Sequence, residues 1–498
     1  MASKSTFELL LERKAIMGIL TPIIAITLAL VVGGFIILIF ITGYDFTDES
    51  LAELKTQQLS SEILETLENF TGRTYPSRTD FDEALLGLIA SFQVTEQTLE
   101  QLKKANVPDA VLTLLEPLQG QESEKKSRFL KAVRKQVGKD NYIKYRVAIS
   151  DAADQYKEVR EKIIRSALVR ENPLRVYGII FREALGDMEG WGNVLFRATP
   201  LIFTGLAVAM AFQCGLFNIG GEGQMVMGGF AITWVGFSFS GMPGFLLIPV
   251  CILVGAAVGS IWGAIPGYLK AKLGVHEVVN TIMMNWIAVF LVQYLTMKYK
   301  LPDDMKPQTE PIAEAAQLSF MHKYLPFFPE HVHLNTAIFL AIAMVILVWY
   351  ILTRTKLGYE VKAVGLNATA AECGGISVPK NIVLAMAISG AMAGLTGVNQ
   401  VMGDQHVFRY DLFTELGFNG IGVALIGKND PIGVVFGAIL FGILEYGGFT
   451  ASVLTGNRVP REIILILKAI ILIFVVVSGE LTKRLMVYLQ KKKGGQEE

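Results

Sequence analysis

Charged residues are scarce in this sequence. They make up 18% of the 498 residues, whereas hydrophobic residues make up 52%, and a soluble domain carries about 25% charged residues. The shortage is also uneven, because residues 45–192 contain 46 of the 90 Lys, Arg, Asp and Glu side chains. This distribution excludes an ordinary soluble protein and indicates one polar domain inserted in a membrane protein.

Cysteine is also rare, and the net charge is zero. The three cysteines, Cys214, Cys251 and Cys373, are scattered in or beside apolar segments, so they form neither a disulfide framework nor a zinc-binding spacing. A balance of 45 basic and 45 acidic residues leaves no electrostatic footprint for nucleic acid. We therefore expect no nucleic-acid partner.

Two short motifs approach catalytic signatures but lack an essential residue. In His276-Glu277-Val-Val-Asn280, an asparagine stands where a zinc protease needs its second histidine. In the segment 422–429, Asn429 replaces the hydroxyl residue that a phosphate-binding loop needs to hold magnesium. We predict no catalytic residue and no metal site.

Long apolar runs dominate the rest of the chain. The first, residues 16–41, exceeds the 7–15 residues of a signal-peptide core, and a spanning helix needs about 20 apolar residues. The segment 417–427 is too short to cross alone unless it is a half-helix. We predict an all-α polytopic membrane protein with about ten transmembrane or re-entrant helices, near 16–41, 193–213, 217–239, 244–265, 277–298, 334–353, 381–402, 417–427, 431–448 and 462–479.

The orientation follows from Lys and Arg in the short loops. Placing both termini in the cytoplasm gives the cytoplasmic loops about twice as many of these residues as the external loops. The insertion is then extracellular, and its leucine and isoleucine spacing predicts helices. The predicted regions are 1–44 (cytoplasmic end and first span), 45–171 (extracellular, mainly helical insertion), 172–480 (transmembrane core with the cytoplasmic loop 354–380) and 481–498 (cytoplasmic tail).

Glycine is abundant, with 48 residues. The pairs Gly33-Gly34, Gly228-Gly229 and Gly255-x-x-x-Gly259 predict close helix packing within a bilayer. Two further segments, 215–224 and 415–422, combine Gly, Asn and a carboxylate at membrane depth, and both contain Phe-Asn. Interrupted segments at matching places in two halves are typical of a transport pathway near an internal repeat.

Ionisable residues within spans are costly and raise a functional hypothesis. The candidates are Glu222, Glu277, Glu445 and Lys468. Glu445 and Lys468 lie in neighbouring late spans, so we predict a structural ion pair between them. We find no series of carboxylates and histidines that would indicate a proton relay.

The cytoplasmic loop 354–380 predicts a short capped helix. Asn367 is a suitable N-cap for Ala368–Cys373, and Gly374 is suited to close it. A plain linker between spans does not need such a helix. The pattern favours a short helix that projects from the loop and docks on a partner, although a simple linker remains the alternative from the residues alone.

Four runs of sequence resemble one family of transport proteins. They are KLGYEVKAVGLNATAAECGGIS in the cytoplasmic loop, PLIFTGLAVAMAFQCGLFNIGGEGQMVMGG at 200–229, GVHEVVNTIMMNW at 274–286 and ELGFNGIGVALIGKNDPIGVVFGAILFG at 415–442. Together they resemble the permease subunit of a bacterial ABC importer, in the family of ribose and branched-chain amino-acid permeases and its nucleoside-type branch. The resemblance covers about 16–41 and 172–480, and the insertion is a departure from it.

The resemblance implies a multi-pass protein of the bacterial cytoplasmic membrane with several partners. These are a cytoplasmic ABC ATPase, an extracellular substrate-binding lipoprotein and a second permease, which we expect to be a related chain rather than a second copy. The ATPase would bind Mg-ATP, so no cofactor is expected in this chain. The loop would dock on the ATPase as the coupling helix, with Gly365, Asn367, Ala370, Ala371, Glu372 and Gly374 as its coupling residues.

Nucleosides are the cargo that the resemblance implies. A base needs aromatic or apolar faces, and a ribose needs hydrogen-bonding groups. The alternatives are a simple sugar or branched-chain amino acid, an ion-coupled transporter without an ATPase, or a structural scaffold, which the buried polar segments disfavour. The candidate pathway residues are Phe217, Asn218, Glu222, Gln224, Asn280, Asn285, Trp286, Phe418 and Asn419.

Overall fold

The computed structural model describes residues 23–38, 42–55, 61–68, 70–75, 78–88, 92–105, 107–119, 121–123, 126–154, 157–170, 172–301, 305–455 and 459–494. The chain divides into two compact units. The smaller unit comprises Gly34–Val176 with Ser452–Pro460, and the larger one comprises the remaining chain. The first helix, α1, is Ile23–Leu38, within the predicted span 16–41; the rest of that predicted span lies outside the described residues.

The smaller unit is mainly helical, as predicted for the insertion, but it also contains five short strands. The strands form one antiparallel sheet in the order β2-β1-β5 and a second two-stranded sheet, β3-β4. Its helices are α2 (Asp48–Lys55), α3 (Ser61–Glu68), α4 (Arg78–Leu88), α5 (Glu96–Lys104), α6 (Asp109–Leu115), α7 (Lys126–Val137), α8 (Lys139–Ala152) and α9 (Lys157–Ser166). Its strands are β1 (Thr42–Phe46), β2 (Arg73–Tyr75), β3 (Phe92–Gln93), β4 (Glu122–Ser123) and β5 (Leu168–Arg170).

Two apolar clusters stabilise the smaller unit. One contains Phe46, Leu54 and Phe81, and the other contains Phe92 and Leu115; all five side chains are fully buried. The strands were not predicted, because runs of two to five residues leave no detectable alternation of apolar and polar positions.

The larger unit is a bundle of long helices. Its irregular helical turns are Glu314–Ala316, Met321–Lys323 and Tyr410–Phe413, and a π-helical segment, Val398–Gln405, continues α18. Its helices are α10 (Pro173–Leu185), α11 (Met188–Gln213), α12 (Gly221–Ser238), α13 (Gly244–Leu273), α14 (Glu277–Lys298), α15 (Ala337–Arg354), α16 (Lys356–Leu366), α17 (Ala368–Cys373), α18 (Val378–Gly394), α19 (Leu416–Ile426), α20 (Pro431–Leu454) and α21 (Glu462–Gly494).

Six of the described helices are long and apolar enough to cross a membrane: α11, α13, α14, α15, α18 with its π-helical continuation, and α20. The predicted polytopic fold of membrane-spanning α-helices is therefore confirmed, and the short strands of the smaller unit are a departure from the all-α prediction. The segment 417–427 forms the eleven-residue α19. At 1.5 Å per residue, α19 is about 16 Å long, which is too short for a bilayer core of about 30 Å. The predicted span 217–239 begins later than expected, at Gly221.

Glycines bring α13 and α18 into backbone contact. A Cβ atom at Gly259 would lie 2.3 Å from the carbonyl oxygen of Gly390, and one at Gly394 would lie 2.4 Å from that of Gly255. Neither position has room for a side chain. The close approach predicted for Gly255 and Gly259 is confirmed.

Candidate functional site

A buried polar group lies at the junction of α11 and α12. The Nδ2 of Asn218 donates to Gln224 Oε1 at 3.0 Å and to Ser389 Oγ at 2.8 Å. Ser389 Oγ in turn donates to the carbonyl oxygen of Ala207 at 2.6 Å. Asn218 Oδ1 accepts from the backbone N–H of Gly220 at 2.9 Å. These bonds connect α11, α12 and α18, so Asn218 and Gln224, two predicted pathway residues, belong to one network.

Asn285 connects α14 to the same junction. Its Oδ1 accepts from the backbone N–H of Gly223 at 2.8 Å, and its Nδ2 donates to the carbonyl oxygen of Ile219 at 2.9 Å. The first N–H groups of a helix have no partner within the helix. Asn285 therefore satisfies one of them at the start of α12 and fixes the preceding turn.

Glu222 joins the two Gly/Asn/carboxylate segments that the sequence singled out. Its Oε1 accepts from the backbone N–H of Glu415 at 3.1 Å. Gly417 also packs on it, since a Cβ atom there would lie 2.7 Å from the Glu222 nitrogen. Glu415 has a left-handed backbone, with φ of 68°, a conformation that is uncommon for a residue with a side chain. The contact thus holds the start of α19 in a defined position.

The other predicted pathway residues are dispersed. Phe217 stacks on Phe212 with ring centroids 5.3 Å apart, and Asn280 Nδ2 donates to the carbonyl oxygen of Pro266 at 3.4 Å. Trp286 and Phe418 lie on the surface, 57% and 54% exposed. Successive helical residues point about 100° apart, so Trp286 faces outward although its neighbour Asn285 faces inward.

The predicted ion pair between Glu445 and Lys468 is confirmed, with Lys468 Nζ 3.8 Å from Glu445 Oε2. A third residue belongs to it, because Arg197 Nη1 lies 2.9 Å from Glu445 Oε1. Sequence reasoning missed Arg197, which is 248 residues away from Glu445. Its position inside the predicted span 193–213 was the available signal, since charged residues are rare there.

This charged group borders a cavity of about 370 Å³ between α11, α19, α20 and α21. Asn419, the remaining predicted pathway residue, also lines the cavity. Phe449 lies beneath the guanidinium of Arg461, with 4.6 Å between that group and the ring centroid. The lining therefore combines an aromatic ring, an amide and both signs of charge. Its charged and amide members are Arg197, Glu415, Asn419, Glu445, Arg461, Glu462 and Lys468.

The predicted capped helix is present as α17. Asn367 Oδ1 accepts from the backbone N–H of Ala370 at 3.0 Å, and the Gly374 N–H donates to the carbonyl oxygen of Ala370 at 3.0 Å. The left-handed residue that ends the turn is Gly375, with φ of 81°, rather than Gly374. Asn367, Ala370, Glu372 and Gly374 are exposed, whereas Ala371 is buried.

Helix α16 lies against the junction that carries Asn218. A Cβ atom at Gly365 would lie 2.3 Å from the carbonyl oxygen of Gln213 and 2.9 Å from the Gly215 nitrogen. Asn381 Nδ2 donates to Glu360 Oε2 at 3.1 Å, and this bond holds the pKa of the Glu360 carboxyl below its ordinary value.

Gln213, which contacts the loop, and Arg197, which lines the cavity, are sixteen residues apart on α11, or about 24 Å. The loop and the cavity therefore lie toward opposite ends of α11.

The carboxylate of the motif at 276–280, which resembles a zinc-protease signature, has a structural explanation. Glu277 Oε2 lies 2.9 Å from Lys270 Nζ, so this carboxylate is paired with a cation. Among the described residues, no group of three or more His, Cys, Asp or Glu side chains could hold a metal ion.

Comparison with known proteins finds similar permeases, including the following three. The chain is 39% identical to the guanosine ABC transporter permease protein NupP of Bacillus subtilis, over 64% of this chain and 89% of that protein. It is 38% identical to the nucleoside ABC transporter permease protein NupB of Lactococcus lactis, over 62% and 84%. It is 34% identical to a glucose ABC transporter permease protein of Haloferax volcanii, over 64% and 85%. No solved structure is significantly similar to the chain.

The model of one protein family, described as the permease component of the branched-chain amino acid transport system, matches residues 191–476. The matched region contains the Asn218 network, the cavity lining and the α16–α17 loop, and it excludes the insertion at 45–171. The chain therefore belongs to this family of transport permeases, as its sequence motifs indicated.

Proposed function

We propose that this chain is the membrane permease of an ATP-driven nucleoside importer and forms part of the translocation pathway. The observation that carries the proposal is the exposed, Asn367-capped helix α17, at the opposite end of α11 from a polar cavity. An exposed helix on which an ATPase can dock and a polar cavity, toward opposite ends of α11, suit a permease that couples ATP hydrolysis by a partner to transport. The cargo follows from the printed names of the guanosine and nucleoside relatives.

The contacts supply a route for this coupling. Movement of α17 by an ATPase would displace α16, because the two helices share Asn367 as boundary residue. Gly365 would then push against the backbone at 213–215. The next residues lead to Asn218, whose bonds reach α12 and α18. ATP binding would in this way change the packing around the pathway, while this chain itself hydrolyses nothing.

The proposal includes several partners. A cytoplasmic ABC ATPase would bind Mg-ATP and receive α17, a second, related permease would complete the pathway, and an extracellular lipoprotein would deliver the nucleoside. Both termini would be cytoplasmic, in a bacterial cytoplasmic membrane. The region 45–171 would be extracellular and extend the docking surface for the lipoprotein. Deleting residues 50–165 should then weaken lipoprotein binding and leave ATPase assembly intact.

Uptake of labelled nucleosides tests the function directly. Cells with and without this chain would be compared before and after ATP depletion, with unlabelled guanosine, ribose, glucose and leucine as competitors. We expect ATP-dependent uptake that requires the chain and is competed by guanosine. Uptake that survives ATP depletion and collapses with the ion gradient would overturn the ABC assignment in favour of ion coupling.

The docking role of α17 has its own test. Asn367→Ala removes a cap whose loss costs about 1 kcal/mol of helix stability, whereas Asn367→Ser retains a capping oxygen. We expect the alanine variant to retain less ATPase in pull-down experiments and the serine variant to behave as the parent. Equal recovery of the ATPase with both variants would contradict a docking role for this helix.

A simple sugar is the second candidate cargo, favoured by the glucose permease relative. In the uptake experiment, competition by glucose or ribose without competition by guanosine would select it and leave the rest of the proposal in place.

A further inference from the structure

The cavity between α11, α19, α20 and α21 has the polar and aromatic groups that a nucleoside needs. Its lining includes Glu415, the residue before α19, and Leu416, the first residue of that helix. The cavity holds about 370 Å³, within the range of about 300–1,000 Å³ for small-molecule sites. Its volume therefore suits a ligand of nucleoside size.

The charges of the lining are balanced. Three cations, Arg197, Arg461 and Lys468, face three carboxylates, Glu415, Glu445 and Glu462. Arg197 and Lys468 are already engaged by Glu445. In the described part of the chain, Glu415 and Glu462 form no ion pair. Arg461 is the remaining cation, and with it the lining has no net positive charge to hold a phosphate, so the cavity favours an uncharged ligand over an anion.

The carboxylates suit a ribose. A carboxylate accepts hydrogen bonds and has none to donate, and acidic side chains bind ribose hydroxyls in dinucleotide-binding proteins. Glu415 is fixed for this role because its backbone N–H bonds to Glu222 Oε1. Asn419, one helical turn later, supplies an amide that both donates and accepts.

Two other residues of the lining, Phe449 and Arg461, suit a planar base. Arg461 lies over the Phe449 ring at 4.6 Å, and both residues border the cavity. Nucleobases stack on aromatic rings and on guanidinium planes. A simple sugar would use the carboxylates but gain little from this surface.

We infer that this cavity is a nucleoside-binding site of the chain, in which Glu415 and Asn419 bind the ribose and Phe449 with Arg461 binds the base. The inference rests on the proposed nucleoside transport.

Thiol labelling of the assembled transporter tests the site. Thr414→Cys would be introduced together with Cys373→Ser. Thr414 lines the cavity and has no assigned role in binding, and Cys373 is the exposed native thiol, whereas Cys214 and Cys251 are buried. A polar methanethiosulfonate reagent would be applied to membrane vesicles with and without guanosine. We expect guanosine to slow labelling of the introduced thiol at least five-fold and guanosine monophosphate to have no such effect.

A matched control distinguishes protection of the cavity thiol by guanosine from a general change in the labelling rate. Ser240→Cys in the same background places a thiol at an exposed position outside the cavity, and guanosine should not alter its labelling rate. Guanosine-independent labelling at position 414 would overturn the site, and equal protection by the monophosphate would overturn the neutral-ligand assignment.

Uptake measurements distinguish failure of this inference from failure of the proposed function. If the parent transports guanosine, Glu415→Gln and Phe449→Leu should each lower the maximal rate at least ten-fold, whereas Phe449→Tyr should retain most of it. Each variant would be checked for normal recovery of the ATPase. Full transport by both impaired variants would overturn the site alone, whereas no nucleoside uptake by the parent would overturn the proposed function.

Discussion

Glu222 and Glu415 are 193 residues apart in sequence, and the carboxylate of the first accepts a hydrogen bond from the backbone of the second at 3.1 Å. The bond fixes a residue with a left-handed backbone at the start of α19. It therefore connects α12, whose first turn contains Glu222, to Glu415 in the wall of the cavity.

Removing this acceptor should destabilise the protein. Glu222→Ala leaves the Glu415 N–H without its partner, which costs at most about 1–3 kcal/mol because the bond is only partly buried, whereas Glu222→Gln keeps an acceptor oxygen. We expect a lower unfolding temperature in detergent for the alanine variant and a smaller change for glutamine. Glu415→Gly is a useful companion, because it keeps the N–H and tolerates the positive φ. Equal unfolding temperatures for Glu222→Ala and the parent would contradict the structural role of this bond.

The Arg197–Glu445–Lys468 group predicts an order of effects. Glu445→Gln leaves two cations without their shared carboxylate, whereas Arg197→Met leaves Glu445 paired with Lys468. Breaking a buried pair costs about 3–5 kcal/mol, and the partial exposure of Arg197 and Glu445, at 31% and 32%, lowers this figure. We expect about 2 kcal/mol for Glu445→Gln and less for Arg197→Met.

Chemical unfolding in detergent would measure these losses. Glu310→Gln is a suitable control, because Glu310 is exposed and, within the described residues, forms no ion pair. A loss for Arg197→Met as large as that for Glu445→Gln would show that Lys468 does not contribute.

The contact between Gly365 and the 213–215 backbone predicts a coupling defect. Gly365→Val would add side-chain atoms where there is no room, because its Cβ alone would lie 2.3 Å from the Gln213 carbonyl oxygen. Overpacking of this kind costs about 1–3 kcal/mol. We expect ATP-driven uptake to fall at least ten-fold while the ATPase is still recovered with the complex. Gly178→Val is the control, since nothing lies within 4 Å of a Cβ there. Normal uptake by the Gly365 variant would remove this contact from the coupling route.

His406 predicts a pH dependence of stability. Burial holds the pKa of its imidazole below the ordinary value of 6.5, so the folded protein favours the neutral ring. As the pH falls through 6.5, the unfolded chain takes up a proton that the folded one resists, and stability decreases until the folded pKa is reached. His406→Asn removes the titrating group and tolerates the φ of 60°.

Unfolding temperatures at pH 7.5 and 5.5 would check this prediction. The parent should lose more stability than His406→Asn between the two values. An equal loss in both proteins would mean that other groups carry the pH dependence.

The sequence determined the local features of this protein. The long apolar runs specify the spans because a bilayer requires about 20 apolar residues in a helix. Asn367 and the glycines at 374–375 specify α17, since capping involves residues only three or four positions apart. The Gly255-x-x-x-Gly259 spacing likewise predicted close packing, although not that its partners would be Gly390 and Gly394.

Only the tertiary structure decided which distant residues meet. Phe217, Trp286 and Phe418 were grouped with Asn218 on chemistry alone, but helix rotation leaves Trp286 and Phe418 on the surface. Arg197 joins Glu445 because α11 packs beside α20, a pairing that no local pattern encodes. The composition of a span shows that a charge needs a partner, whereas the partner and the cavity beside it depend on how helices far apart in the chain pack together.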